Sequence, residues 1–296
     1  MINFYEQVRQ NKIRSTIIVV GFITFILVAA YLISYAFNLG SEFLVGAFIF
    51  SLIMTLLSYY SGDQIVLNLN QAIPADRDKY FDFYTVVENL SLANQTPMPK
   101  IYVIETPAMN AFATGRDPQH AIVCATTGLL TKLNRTQLEG VIAHELSHIK
   151  NYDIRLMMIV SVLIGSLSLL TNMISRSMFF RGGRDRDNNS GNIGIILTLI
   201  GFLLLIFSPL IAQLIQLAIS RRREFLADAS AVKLTRQPSG LIEALQIIGQ
   251  DPNILTSAST ATASLYITNP FKDKLSSLFS THPPLAARIK ALREML

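Results

Sequence analysis

His144-Glu145-Leu146-Ser147-His148 sets two imidazoles four residues apart, with a carboxylate beside the first. On a helix, four steps of about 100° bring the two rings to within about 40° of one another. Both can then bind one zinc ion from the same side, and Glu145, one position on, reaches the water that such an ion activates. Zinc lowers the pKa of a bound water from about 15.7 to about 7, and the carboxylate takes its proton as attack on a peptide carbonyl begins. Chance would place this pattern about 0.002 times in a chain of this composition, and it uses two of the four histidines.

A catalytic zinc needs a third protein ligand and an open position. A third histidine six residues after the second would mark a metzincin, but that position is Ile154, and Asn151 stands where metzincins carry glycine. Glu224-Phe225-Leu226-Ala227-Asp228 fits the remaining pattern, because Glu224 and Asp228 share a helix face. Glu224 is expected to bind zinc and Asp228 to orient a ligand histidine from behind. Asp153 follows His144 by nine residues, which on a continuous helix is about 900° and points it away. Asp185 and Asp187 fall in a loop between apolar segments, and Glu243 and Asp251 lack a helical partner. His282 and Arg288 have two readings: donors near the metal that stabilise a tetrahedral oxyanion, or a turn histidine and a surface arginine. His120 reads as a loop residue.

The motif must ride on a helix, and apolar residues at 138, 141, 142, 146 and 149 supply its period. It begins near Asn134, with Thr136-Gln137-Leu138-Glu139 as a candidate capping box, and can run on through Asp153. Tyr80 to Asn94 reads as an amphipathic helix, and Lys100 to Ile104 and Ala121 to Ala125 as short strands. Met109 to Gly115 is strand-like and closed by a glycine. Thr256 to Ser264 reads as a flexible loop, and a basic helix ends the sequence at Leu296.

Only 15 % of the 296 residues are charged, against roughly a quarter in average soluble domains. Residues 15–41, 43–62, 156–175 and 188–220 contain no Asp, Glu, Lys or Arg, and the rest has an ordinary soluble charge density. This excludes an ordinary soluble enzyme, a disordered protein and a disulfide-stapled secreted module. Ser15 to Phe37 and Phe43 to Gly62 are each long enough for a span of about 20 residues, and Leu156 to Ser175 and Ile193 to Ser220, kinked at Pro209, form a second pair. Arg9, Lys12 and Arg14 before the first span, with no Lys or Arg in 38–42, place the N-terminus in the cytoplasm. Arg221, Arg222 and Arg223 stop the fourth segment on that side. The loop with Arg176, Arg181, Arg184 and Arg186 opposes this rule, and the reading favours a full crossing. The segments carry no carboxylate or basic side chain, against a transporter. The net charge of +5 lies beside the apolar segments, where it meets lipid headgroups, and nothing calls for a nucleic-acid partner. Cys124, the sole cysteine, reads as a buried strand thiol.

The motif at 144–148, Glu224 to Asp228, Asn110-Ala111-Phe112-Ala113-Thr114-Gly115 and Thr281-His282-Pro283 occur in an order, with two hydrophobic hairpins, that resembles the HtpX-type membrane zinc endopeptidases, relatives of the CAAX prenyl proteases. The resemblance spans essentially the whole chain. It implies a multi-pass protein of the bacterial plasma membrane with a cytoplasmic active site, linked to stress and membrane-protein quality control. It implies one Zn2+ per subunit on His144, His148 and Glu224, with Glu145 catalytic. The segment of Asn110, Ala111 and Phe112 would lie beside the cleft, where a strand can pair with extended substrate. The expected fold is mainly α, with four hydrophobic helices in two hairpins and a small α+β gluzincin-like domain split around the second. Its parts are the N-terminal segment and first hairpin (1–62), a cytoplasmic part with the metal helix (63–155), the second hairpin (156–220) and a C-terminal part with the third ligand (221–296). The expected substrates are proteins or peptides, misfolded membrane proteins above all, beside the lipid bilayer. Two other readings are an intramembrane site-2-type protease, whose motif would sit within a span, and a scaffold with a structural zinc, which would favour four ligands and cysteine.

A cysteine introduced at Asn189, with Cys124 replaced by alanine, is expected to react with an impermeant thiol reagent on intact cells. Labelling only after permeabilisation would show that the second hairpin does not cross.

Overall fold

The computed structural model describes residues 4–37, 40–166, 221–255, 258, 262–268, 270 and 283–295. Expectations about the rest of the second hairpin, its arginine-rich loop, Pro209 and His282 lie outside the described residues.

Helix α1 (Phe4–Phe37) and helix α2 (Ser41–Tyr60) form an antiparallel pair. Their apolar stretches, Val8–Val28 and Ser41–Tyr60, are long enough to cross a bilayer, and 22 % and 11 % of these windows is buried inside the protein. Core helices of soluble proteins hide such residues. Here Ile17, Val20, Phe48 and Leu52 face outward, the pattern of lipid-facing helices. The first helix begins earlier than its uncharged stretch, so Arg9, Lys12 and Arg14 lie on it rather than ahead of it. Asn11 and Ser15 are buried, which docks this end of the helix against the rest of the protein.

After helix α3 (Gly62–Leu69) comes a four-stranded sheet of β1 (Ile73–Pro74), β2 (Lys100–Ile104), β3 (Ala111–Gly115) and β4 (Ala121–Thr126), in the order β1-β2-β4-β3. Strands β2 and β4 are parallel, and β1 and β3 are antiparallel to their neighbours. The strands alternate with period two. Ile101, Val103, Ala111, Ala113, Val123 and Ala125 join a core with Phe83, Val86 and Val87 of helix α4 (Phe81–Asn94) and Val141, Ile142 and Leu146. Ile104, Phe112 and Cys124 join a second core with Ile18 and Phe22 of α1 and with Leu156 to Val160. One face of the sheet thus supports the metal helix and the other reaches the membrane helices. Cys124 is buried, and burial pushes its thiol pKa well up, as for an inert core thiol.

Helix α5 (Thr127–Lys132) leads to helix α6 (Arg135–Lys150). The capping box of α6 lies two residues earlier than the sequence suggests, at Asn134 and Gln137. Asn134 Oδ1 accepts from Gln137 N at 3.0 Å, and Gln137 Oε1 accepts from Asn134 N at 3.0 Å. The helix does not run on. It breaks at Tyr152, held at φ 60°, a left-handed conformation uncommon for an aromatic residue. Helix α7 then begins at 153 and is described to 166. Helices α8 (Arg221–Thr235), α9 (Pro238–Gln250) and α10 (Leu285–Arg293) pack around α6 and one another.

The contact between α6 and α9 depends on two glycines. A Cβ on Gly140 would lie 2.7 Å from Leu241 N, and one on Gly240 would lie 2.6 Å from Thr136 O. Gly140→Ala must push backbone apart, so it is expected to cost about 1–3 kcal/mol and to lower Tm in detergent. Gly46→Ala, whose Cβ meets nothing within 4 Å, serves as the control, and equal Tm shifts for the two would contradict this packing.

Candidate metal centre

Helix α6 carries His144, Glu145 and His148 inward, and all three are buried. Glu224 and Asp228, one turn apart on α8, face them and are buried too. His144 Nε2 and His148 Nε2 stand 3.2 Å apart, and each lies 3.6 Å from a Glu224 carboxylate oxygen. Ligand atoms of these three residues all lie within 4.8 Å of one another, so the group can hold a metal ion.

The chemistry of the donors fits a zinc-sized cation. Two nitrogens each about 2.05 Å from a tetrahedral zinc lie about 3.3 Å apart, close to the observed 3.2 Å. Each ring also has a carboxylate behind it. His144 Nδ1 is 3.0 Å from Asp228 Oδ1, and His148 Nδ1 is 3.0 Å from Asp153 Oδ2. A carboxylate accepts the Nδ1 hydrogen, which leaves the Nε2 lone pair of each ring aimed at the same point. With both rings neutral, two lone pairs and a carboxylate converging in a buried space repel one another; a metal ion relieves this, and without one a proton kept on His144 does so in part.

Arg288 is fully buried on α10. Its Nε donates to Asp228 Oδ2 at 2.8 Å and its Nη2 to Asp228 Oδ1 at 2.6 Å, a bidentate pair, while Nη1 donates to the Ile267 carbonyl at 3.1 Å. The reading of Arg288 as a surface residue is therefore corrected. Nη2 also lies 3.3 and 3.4 Å from the two ring nitrogens of His144, so the guanidinium sits against the imidazole whose carboxylate partner it holds.

Burial is the largest single influence on each of these groups, but it sets the direction only for Glu145. It raises the Glu145 carboxyl above its usual 4.5, and the two histidines counteract this only in part. Burial also favours neutral Asp228, yet the charge of Arg288 and the hydrogen bond to His144 outweigh it and hold that carboxyl below 3.8. For His144, burial and Arg288 disfavour the imidazolium, but the hydrogen bonds to Asp228 and Glu224 overturn both, and its pKa is raised to about 9.

The structure reverses the reading of Asp153. The helix break at Tyr152 swings it back, so it lies behind His148 rather than on the far side. Asn11 stands beside it, with no part in the sequence reading, and so does Arg223, which the sequence marks only as the end of an apolar segment. Only the mismatch of a polar residue and charged neighbours on an apolar helix could have flagged Asn11. Two rival carboxylates are engaged elsewhere: Asp251 accepts from Met109 N, Lys132 and Asn253, and Glu243 accepts from Gln137. His120 is exposed and meets Asp117. The edge of β3 is partly taken by the chain itself. Ile267 N donates to Ala111 O at 2.9 Å, Phe112 bridges to Tyr266, and Asn110 Nδ2 donates to Thr268 O at 3.1 Å. An extended substrate adding at Ala111 and Phe112 would first have to displace residues 266–268.

Helices that face outward like membrane spans, joined to a buried His-His-Glu cluster with an adjacent glutamate, define a class of membrane-bound metallohydrolase. The sequence profile of peptidase family M48 matches residues 82–296. A protease HtpX homolog of Streptococcus uberis is 44 % identical, over 98 % of this chain and 99 % of its own length. One from Caldanaerobacter subterraneus subsp. tengcongensis is 42 % identical, over 98 % and 97 %. The crystal structure of S. mikatae Ste24p superposes with a TM-score of 0.49 at 23 % identity, covering 97 % of this chain and 67 % of that one. The chain belongs to peptidase family M48 and is a membrane metalloendopeptidase of the HtpX type.

Metal ligands must be deprotonated, and His144 holds its proton up to about pH 9. For protein stripped with a chelator, metal entry must therefore displace that proton. Apparent zinc affinity is expected to rise by up to about tenfold per pH unit between pH 7 and 9. The charged ring also stabilises the stripped fold below pH 6.5, and this contribution is lost as pH rises through about 9. Titration in zinc buffers checks this, and a flat affinity from pH 7 to 9 would exclude a raised His144.

Proposed function

We propose that this chain is a zinc-dependent endopeptidase that cleaves misfolded or membrane-associated proteins at the cytoplasmic face of a bacterial plasma membrane. The observation that carries the reading is the convergence of His144 Nε2, His148 Nε2 and the Glu224 carboxylate beside a buried Glu145. In this reading the first three bind zinc, Glu145 is the general base, Asp228 orients His144, and Arg288 holds Asp228. The peptidase part is assembled from 63–155 and 221–296 around the second hairpin, and His282 remains a candidate donor to the oxyanion. The basic residues Arg9, Lys12 and Arg14 favour the cytoplasmic side. The packing of α6 on a soluble α+β core speaks against cleavage within the bilayer.

His144, His148 and Glu224 would hold a zinc ion, and that ion would supply Lewis acidity to the scissile carbonyl and the attacking water. Glu145 accepts the proton of that water as its oxygen bonds to the carbonyl carbon. The same carboxyl then gives the proton to the leaving nitrogen as the C–N bond breaks. Its raised pKa suits both halves of this exchange. Asp228 keeps the Nδ1 hydrogen of His144 in place throughout.

Glu145→Gln keeps the size of the side chain and removes the base. It is expected to lower casein hydrolysis by at least about 100-fold while the purified protein retains zinc. Substantial turnover by zinc-loaded Glu145→Gln would remove Glu145 from this role.

A further inference from the structure

The two histidines of the metal helix are supported from different places. His144 leans on Asp228, which Arg288 fixes within the soluble part. His148 leans on Asp153, and Asp153 is held from the membrane side. Asn11 Nδ2, on α1, donates to Asp153 Oδ1 at 2.7 Å and to the Asn151 carbonyl at 3.0 Å. Arg223 Nη1 donates to Asn11 Oδ1 at 3.3 Å and lies 3.5 Å from Asp153 Oδ1. Asn11 and Asp153 are each 3 % exposed.

The arrangement is saturated. Both amide hydrogens of Asn11 have acceptors, its oxygen has a donor, and each oxygen of Asp153 has a partner. Such closure matters because an unsatisfied buried polar group costs about 1–3 kcal/mol. The network meets the metal helix at the Nδ1 of His148. Asn11 also reaches across the helix break, since it takes the carbonyl of Asn151 just before Tyr152. It therefore fixes the turn that brings Asp153 back to the histidine.

We propose that Asp153 and Asn11 are positioning residues for His148, so that the first membrane helix is a working part of the metal site. The proposal rests on the reading of His144, His148 and Glu224 as zinc ligands. Residues behind a metal-bound histidine set its ring angle and tautomer, and their loss typically costs about 10- to 100-fold in metal affinity.

The test uses the whole chain in detergent, with zinc affinity from chelator competition and the visible spectrum of the cobalt-substituted protein as readouts. Asp153→Ala is expected to lose about 10- to 100-fold in zinc affinity, and Asn11→Ala about tenfold. Asp153→Asn, which keeps an acceptor for Nδ1 without the charge, should fall between wild type and Asp153→Ala. All three should alter the cobalt absorption bands, which report ligand geometry, while circular dichroism stays that of the wild type. Asn11→Ala and Asp153→Asn carry the comparison should Asp153→Ala fail to fold. Wild-type affinity and cobalt spectra in these variants, with Glu224→Ala zinc-free, would overturn the proposal and leave the ligand assignment standing. Zinc retained by Glu224→Ala would instead remove the ligand assignment itself.

Discussion

Four carboxylates, those of Glu145, Asp153, Glu224 and Asp228, are buried around two histidines. Taking each such charge out of water costs several kcal/mol unless a partner answers it, and this requirement organises much of the surrounding fold. Arg288 answers Asp228 with two hydrogen bonds, and Asn11 and Arg223 answer Asp153. Glu145 and Glu224 meet the histidines and the place where a cation would sit. The partners come from α1, α8 and α10, so regions more than two hundred residues apart in sequence must assemble before the charges are balanced.

The supporting layers follow from this requirement. The metal helix must lie against α8 to reach Glu224 and against α9 closely enough that Gly140 and Gly240 leave no room for a methyl group. The sheet holds α6 on one face and contributes Phe112 and Cys124 to the membrane-side core on the other. A displacement of the membrane helices would therefore be felt in the packing beneath the site as well as at Asn11.

The local grouping of these side chains is legible in the sequence because each part of it falls within one turn of helix. His144, Glu145 and His148 are placed by a four-residue spacing, and Glu224 and Asp228 by another. What spacing could not convey is where a helix stops. The rotation that sent Asp153 away assumed an unbroken helix, and the left-handed Tyr152 invalidates it. The capping box was misplaced by a similar route, since Thr136 and Asn134 both resemble cap residues and only the backbone distinguishes them. Arg288 looked like one of many basic residues on a terminal helix, and its partner Asp228 lies 60 residues away. Long-range pairs of this kind leave no local trace. The two outward-facing hydrophobic helices were legible from length and composition, although the docked start of α1 was not.

The sheet ends in a way that suits a protein confined to one plane. Exposed strand edges invite pairing with other chains, and copies held in a bilayer meet at high local concentration. One rim of this sheet is the two-residue β1, closed by Pro74, which has no N–H to offer. The other rim is β3, partly covered by the chain's own residues at Tyr266 and Ile267, and Tyr266 is locked down by its hydroxyl on Asn70 at 2.8 Å. Neighbouring molecules in the membrane thus find little free edge on which to zip together, and strand-by-strand aggregation is discouraged by the architecture itself.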